Sequence, residues 1–457
     1  MKKSISTLIL LAFIATSVLA QTNPAITSWL QNTTIYGRYY TSGNSTSIAM
    51  TVLANCQKVQ YSTTSVYVTT EGIPAYPTGI FTGDGNTNVA GAQAAIYKFP
   101  LNPTKNTGTA TATSAGNCGV FINGVSLFDY RDGVAWNNTT GTICGGPPPN
   151  TMCPGGMGAT QAWNRDAIPS EKLGFDCAKG HPAGTNYHHH QNPSAFKYDA
   201  TTSNTYSSIC SLYNSDALYV INSAVHSPLL GFAYDGFPIY GAYGYKNLDG
   251  TGAITRMKSS YSLSSNTTRA NGPAVSATYF NGYFKEDYVY TANTATDYLD
   301  DHNGRICNTP EYPKSLYPNG IYCYFATVDA GNSSVYPYVV GPTYYGVVSA
   351  AKVTSVTETV TTYTKTTPTA EASLDNLQIN ISPNPSADLI AIQIGDLVKE
   401  GYNVELYDVL GKLVMSTRIN AGSTIAYFDT QTLYGGTYLI KISNGQAQTT
   451  RKVVVTK

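Results

Sequence analysis

The chain is expected to be mainly β: a large β-rich, sandwich-like domain with long disulfide-stapled loops, then a small C-terminal Ig-like β-sandwich. Three observations lead there. Short alternating or β-branched runs recur, among them Val66-Tyr67-Val68, Ala95-Ile96-Tyr97 and Val120-Phe121-Ile122, and clusters of Gly, Asn, Asp and Pro separate them. Only 12% of residues are charged, against about 25% in an average soluble protein, so Thr, Ser, Asn, Gly and Tyr take over the surface. The 37 tyrosines suit a pleated, half-buried surface. Few stretches keep a helical period.

Residues 1–20 read as a signal peptide. Lys2 and Lys3 form the positive end, residues 5–18 are mostly apolar, and Val18-Leu19-Ala20 offers small side chains for cleavage, making Gln21 the expected mature N-terminus. The apolar run is short for a spanning helix, which needs about 20 residues. No later stretch reaches that length without charges or Gly and Pro breaks. The mature chain is therefore expected to be exported, with no transmembrane span. A net charge of +0 leaves no basic footprint for nucleic acid or anionic lipid.

Residues 21–348 read as one large β-rich unit, ample in length for a buried core. Within it, residues 169–177 read as a turn, and residues 216–224 as a short helix or strand. Eight cysteines, an even number in an oxidising compartment, point to disulfides rather than to a zinc-finger pattern. They allow 105 pairings, so connectivity stays open. The pairing used as a working expectation is Cys144 with Cys153 and Cys307 with Cys323, each across a Pro-rich loop, then Cys177 with Cys210 and Cys56 with Cys118.

Four of the six histidines fall in the ten residues 181–190. If residues 187–190 are extended, His188 and His190 share one face while Tyr187 and His189 take the other. Two imidazoles so placed converge on one first-row metal ion. His181 and His226 are the candidate further ligands. Asp176, Asp235 and Asp301, with Tyr187, are candidate supporting or alternative ligands. The expected cofactor is one divalent transition metal, zinc or copper. The plainer alternative is a hydrogen-bonded histidine loop without metal. Asp235-Gly236 also reads as a β-turn, His226 before Ser227-Pro228 as a turn residue, and His302 as exposed.

Residues 349–373 are Thr-dominated and read as a linker that holds at most a final strand. From residue 374 to 457 the alternation returns, in Ala391-Ile392-Gln393-Ile394, Asn403-Val404-Glu405-Leu406-Tyr407 and Thr437-Tyr438-Leu439-Ile440-Lys441-Ile442, as in a small antiparallel sandwich.

Two resemblances follow from particular residues. Ser382-Pro383-Asn384-Pro385, Leu406-Tyr407-Asp408-Val409-Leu410-Gly411-Lys412, Gly436-Thr437-Tyr438 and the ending Lys452-Val453-Val454-Val455-Thr456-Lys457 resemble the sorting domain of type IX secretion cargo. That resemblance implies the type IX machinery as partner, passage through the periplasm, and release or outer-surface attachment. Asp176-Cys177-Ala178-Lys179-Gly180-His181-Pro182, Tyr187-His188-His189-His190-Gln191-Asn192-Pro193, His226-Ser227-Pro228, Tyr234-Asp235-Gly236-Phe237-Pro238, Asp300-Asp301-His302-Asn303-Gly304 and Tyr336-Pro337-Tyr338 resemble the YHYH domain family. His189 stands where that family has Tyr, and Gly320-Ile321-Tyr322-Cys323-Tyr324-Phe325 lacks the histidines of the repeat some members carry.

Three function classes remain: an exported metal-binding protein, an extracellular metal-dependent enzyme, and a surface adhesion or glycan-binding module. The chain has no Gly-x-Ser-x-Gly elbow, His-Glu-x-x-His motif or P-loop, so no named hydrolase or nucleotide enzyme is implied.

Overall fold

The computed structural model describes residues 23–81, 83, 88–113, 115–146, 163–196, 205–207, 210, 223–364, 372–373, 379–394, 401–409, 411–420, 422–444 and 447–457. The expected signal peptide, Cys153 and residues 216–222 lie outside them. The chain divides into two compact units, residues 1–364 and 365–457.

The first unit is built on two large sheets. One has eight strands, in the order His181–Ala183, Asn186–His189, Ser126–Phe128, Asn117–Phe121, Leu229–Ala233, Pro238–Tyr240, Ile321–Phe325 and Gly304–Cys307. The other has five, in the order Ala351–Val353, Ala95–Pro100, Ser65–Thr70, Cys56–Tyr61 and Thr361–Tyr363. Burial follows sequence. Ala95–Pro100 alternates buried and half-buried positions, as a strand with one covered face does, whereas Leu229–Ala233 is buried throughout. Val66, Val68, Tyr97 and Phe99 of one sheet share a core with Val120, Phe121, Leu230 and Phe232 of the other. Trp29 bridges them, its ring 5.6 Å from Phe99 and 5.4 Å from Phe232. Gly231 is required here: a Cβ would fall 2.3 Å from the Val120 carbonyl oxygen on the neighbouring strand.

Several expectations are corrected. The Thr-rich stretch does not begin a linker at 349, because Ala351–Val353 and Thr361–Tyr363 form the two edges of the five-stranded sheet. Thr has the β-branched stiffness that suits a strand. The segment expected as a turn over 169–177 instead completes a short helix, Ala167–Glu171, and a 3₁₀ turn, Lys172–Gly174. Asp166 caps that helix by accepting from the Ile168 N–H.

The cysteines also differ in part from the working pairing. Cys177 and Cys210 are joined, and Cys144 is disulfide-bonded. Cys56, Cys118, Cys307 and Cys323 are buried free thiols. Cys56 and Cys118 lie in different sheets as small core fillers, and the Cys56 thiol donates to the Ile122 carbonyl at 3.4 Å. Cys307 stands opposite Ile321 and Cys323 opposite Arg305, so the two are diagonal neighbours on the ladder. Their two thiols nonetheless approach each other within hydrogen-bonding reach.

The second unit packs a five-stranded sheet (Ala372–Ser373, Ala447–Val455, Gly436–Ser443, Tyr402–Asp408, Leu413–Ile419) and a three-stranded one (Ile379–Ser382, Leu389–Ile394, Ile425–Asp429) around one core. Ile390, Ile392 and Ile394 meet Val404, Leu406, Ile440 and Ile442 there, every second residue of their strands pointing inward.

Candidate metal centre

The histidine segment folds as a hairpin. His181–Ala183 pairs antiparallel with Asn186–His189, with His181 opposite His188, Pro182 opposite Tyr187 and Ala183 opposite Asn186. The loop is the two residues Gly184-Thr185, and Gly184 takes the positive φ, +60°, that such tight turns need. On its other side Asn186–His189 pairs in parallel with Ser126–Phe128, which fixes the hairpin within the eight-stranded sheet.

That pairing brings three imidazoles to one face. His181 is the cross-strand partner of His188, and His190 lies two residues beyond His188 on the same side. One ring nitrogen of each lies within 4.8 Å of the others, and all three residues are buried. The His188 and His190 Nε2 atoms are 3.1 Å apart. The His188 Nδ1–H donates to the Asn186 carbonyl at 2.9 Å, and the His190 Nδ1–H donates to the Asp129 carbonyl. A carbonyl only accepts, so each neutral ring carries its proton on Nδ1 and turns a bare Nε2 lone pair into the site. Phe128 stacks on His188 with centroids 3.7 Å apart and planes at 18°, and Phe175 sets its edge to His181 at 4.8 Å. These contacts hold the rings in place.

A fourth donor comes from outside the hairpin. Glu171, the last residue of the short helix, places Oε2 3.2 Å from His190 Nε2 and 3.4 Å from His181 Nε2. That oxygen is buried and makes no hydrogen bond among the described residues. Burial works to raise the Glu171 pKa, but the imidazoles of His181 and His190 outweigh it and hold the carboxyl well below its usual range. Burial likewise works to lower His190, but the facing Glu171 carboxylate raises it. His188 is pushed well down, by burial first and then by its two neighbouring imidazoles.

The separations suit a metal. Bonds of roughly 2.0–2.1 Å in a tetrahedron give ligand atoms about 3.3 Å apart; the contacts of 3.1, 3.2 and 3.4 Å lie around that value. One shared proton bridges only two of these atoms at a time, whereas one divalent cation would bond all of them once the imidazoles, now within 4.8 Å of one another, draw in around it.

The remaining candidates separate. Tyr187 and His189 point to the other side of the strand. Tyr187 donates its hydroxyl to Asp176 Oδ2 at 2.9 Å. His189 donates from Nδ1 to the Lys179 carbonyl at 2.9 Å and accepts at Nε2 from the Tyr76 hydroxyl at 2.9 Å. Asp176 is a clamp for the loop leading into the hairpin: its carboxylate accepts from the backbone N–H groups of Gly79, Ala178 and Gly180. Burial pushes it up to about 7 against those donors.

His226 does not join the cluster. Its Nδ1–H donates to the Ser227 carbonyl at 2.7 Å, and its ring packs on Tyr240, Tyr245 and Phe325. Asp235 sits in another buried knot, accepting from the Tyr324 hydroxyl at 2.6 Å, the Gly346 N–H and the Phe237 N–H. Gly236 beside it has φ +87°, so the turn expected at Asp235-Gly236 forms. The Asp301 side chain is 56% exposed, 3.7 Å from His302. His302, expected to be exposed, is mostly covered and lies 2.7 Å from the Thr343 hydroxyl.

Glu171 was not among the candidates. It lies ten positions before His181 in a segment that read as a turn, and only the fold brings it to the hairpin. The one available signal was an acidic residue just upstream of Asp176 and His181.

Comparison with known proteins agrees with these motifs. Residues 380–456 match the secretion system C-terminal sorting domain, so the chain is a secreted or outer-surface protein that addresses the type IX machinery through its second unit. No helix among the described residues is long and apolar enough to cross a membrane. No curated protein matches the chain. The YHYH protein family matches residues 96–336, a span that covers more than half of the sequence and contains the whole histidine hairpin; the chain belongs to that family.

Proposed function

We propose that this secreted or outer-surface protein binds one divalent transition metal at its histidine hairpin, through His181, His188 and His190. Zinc or copper suits such imidazole donors. The observation that carries the reading is the pair of Nε2 atoms 3.1 Å apart, each left with its lone pair because the other ring nitrogen is committed to a backbone carbonyl. Backbone acceptors that fix the tautomer in this way are the usual support behind a metal-bound imidazole. Burial supports it too, since three buried imidazoles gather where an apolar core would otherwise exclude them.

The test is metal content of the purified mature protein by elemental analysis, after dialysis against zinc or copper and removal of excess. One equivalent per chain is expected, falling below a tenth in His188→Ala. Less than a tenth of an equivalent in the unmutated protein, with either metal, rules the reading out.

A further inference from the structure

We infer that Glu171 is the fourth ligand of the histidine site and the exchangeable one, closing it against water and giving way to a small anionic ligand from outside. The inference rests on the metal-binding reading above. Its first support is position. Glu171 Oε2 touches two of the three imidazoles at 3.2 and 3.4 Å without a hydrogen bond to any described residue. Those are the separations of atoms sharing an ion, and a carboxylate oxygen is a normal fourth partner for imidazoles.

The second support is asymmetry. His181 and His190 side chains are 6% and 2% exposed, while the Glu171 side chain is 22% exposed; His188 is 1% exposed as a residue. Of the four residues only Glu171 has a side chain that reaches solvent to any substantial extent, although its Oε2 is itself buried. The histidines are set in a hairpin held by the eight-stranded sheet and by backbone acceptors on both sides. Glu171 ends a helix of five residues that is secured at its other end, where Asp166 caps it and accepts from the Tyr338 hydroxyl at 2.6 Å. Beyond Glu171 the chain is exposed at Lys172 and Leu173, the latter 71% exposed. The donor that moves most cheaply is therefore the one on the solvent side, and its withdrawal leaves three imidazoles and an open position, the arrangement that binds an external ligand.

The experiment loads the full mature protein with cobalt(II), whose visible absorption reports coordination, and titrates it with azide. Glu171→Gln keeps the side-chain shape; Glu171→Asp keeps the carboxylate but withdraws it by one methylene. The unmutated protein is expected to take up one cobalt with the strong absorption of a four-coordinate ion and to bind azide weakly. Glu171→Gln is expected to keep one cobalt with affinity lower by about 10- to 100-fold, an altered spectrum, and azide binding at least tenfold tighter. Glu171→Asp should fall between them.

An unchanged spectrum, cobalt affinity and azide affinity in Glu171→Gln overturns the inference while leaving the three-histidine site standing. If the unmutated protein takes up no cobalt, the site itself fails and the inference with it. Loss of all cobalt from Glu171→Gln with retained thermal stability makes Glu171 an essential ligand and overturns its role as the exchangeable one.

Discussion

His188 and His189 are adjacent in sequence and both buried, yet their replacement is expected to act through different terms. His188→Ala removes a ring stacked on Phe128 and one hydrogen bond to the Asn186 carbonyl. Stacking is worth about 1 kcal/mol and the bond about 1 kcal/mol, so the metal-free protein should lose about 2 kcal/mol. Metal adds a second loss. An ion held at a thousand times its Kd stabilises the fold by about 4.1 kcal/mol. If losing one imidazole weakens binding about a hundredfold, the same free metal gives only about 1.4 kcal/mol. The metal-dependent part of the stability thus falls by about 2.7 kcal/mol. His189→Ala instead removes one hydrogen bond from the Tyr76 hydroxyl and one to the part-buried Lys179 carbonyl, at about 1 kcal/mol each. That loss should be the same with and without metal. Urea unfolding of the three proteins, each with zinc and with chelator, separates the terms. Without metal the two variants should lose comparable stability, and only His188→Ala should show a chelator response smaller by about 2.7 kcal/mol. An equal chelator response in His188→Ala and the unmutated protein would falsify the assignment of His188 to the metal face.

Three further outcomes are expected. Iodoacetamide without reductant should label Cys56, Cys118, Cys307 and Cys323 in denaturant and none of them in native buffer, because all four are buried free thiols; mass spectrometry that finds these four unlabelled in denaturant would show them paired. Gly180→Ala should lower stability by about 1–3 kcal/mol and reduce metal uptake, since its Cβ would lie 2.4 Å from the Tyr187 hydroxyl and 2.9 Å from the His188 carbonyl; unchanged urea midpoint and metal content would show that the hairpin tolerates it. Deleting residues 365–457 should leave the protein in the periplasm on cell fractionation, and its normal appearance outside the cell would remove the second unit from export.

The two-residue period of an extended chain was enough to separate His188 and His190 from Tyr187 and His189. His181 was named only as a candidate further ligand; the hairpin through Gly184-Thr185 that sets it opposite His188 went unread. His226 was included because its motif belongs to the same family block, but closeness within a family pattern is not closeness in space. Glu171 escaped because a single acidic residue on a five-residue helix leaves no period to detect. Cysteine pairing was illegible for a similar reason: whether Cys307 sits opposite Cys323 or one step off depends on ladder register, which a strand of four residues does not declare. Thr-rich composition looked like a tether because it lacks apolar alternation, yet edge strands at 351–353 and 361–363 gain their hold from backbone pairing and need little apolar surface of their own.

Those edge strands tie the order of synthesis to the order of folding. Tyr61 pairs with Thr361, and Ile96 with Val353, so strands made near the start of the chain wait for residues some three hundred positions later. Until then Cys56–Tyr61 and Ala95–Pro100 each present a bare row of backbone donors and acceptors, the surface on which other chains add strands. Contacts so distant in sequence also form slowly. The nascent chain is therefore most prone to aggregate, and most open to a chaperone that recognises unpaired strands, until residue 363 is available. The sorting unit follows immediately, so the sorting address becomes readable only once the part that seals the first sheet has been made.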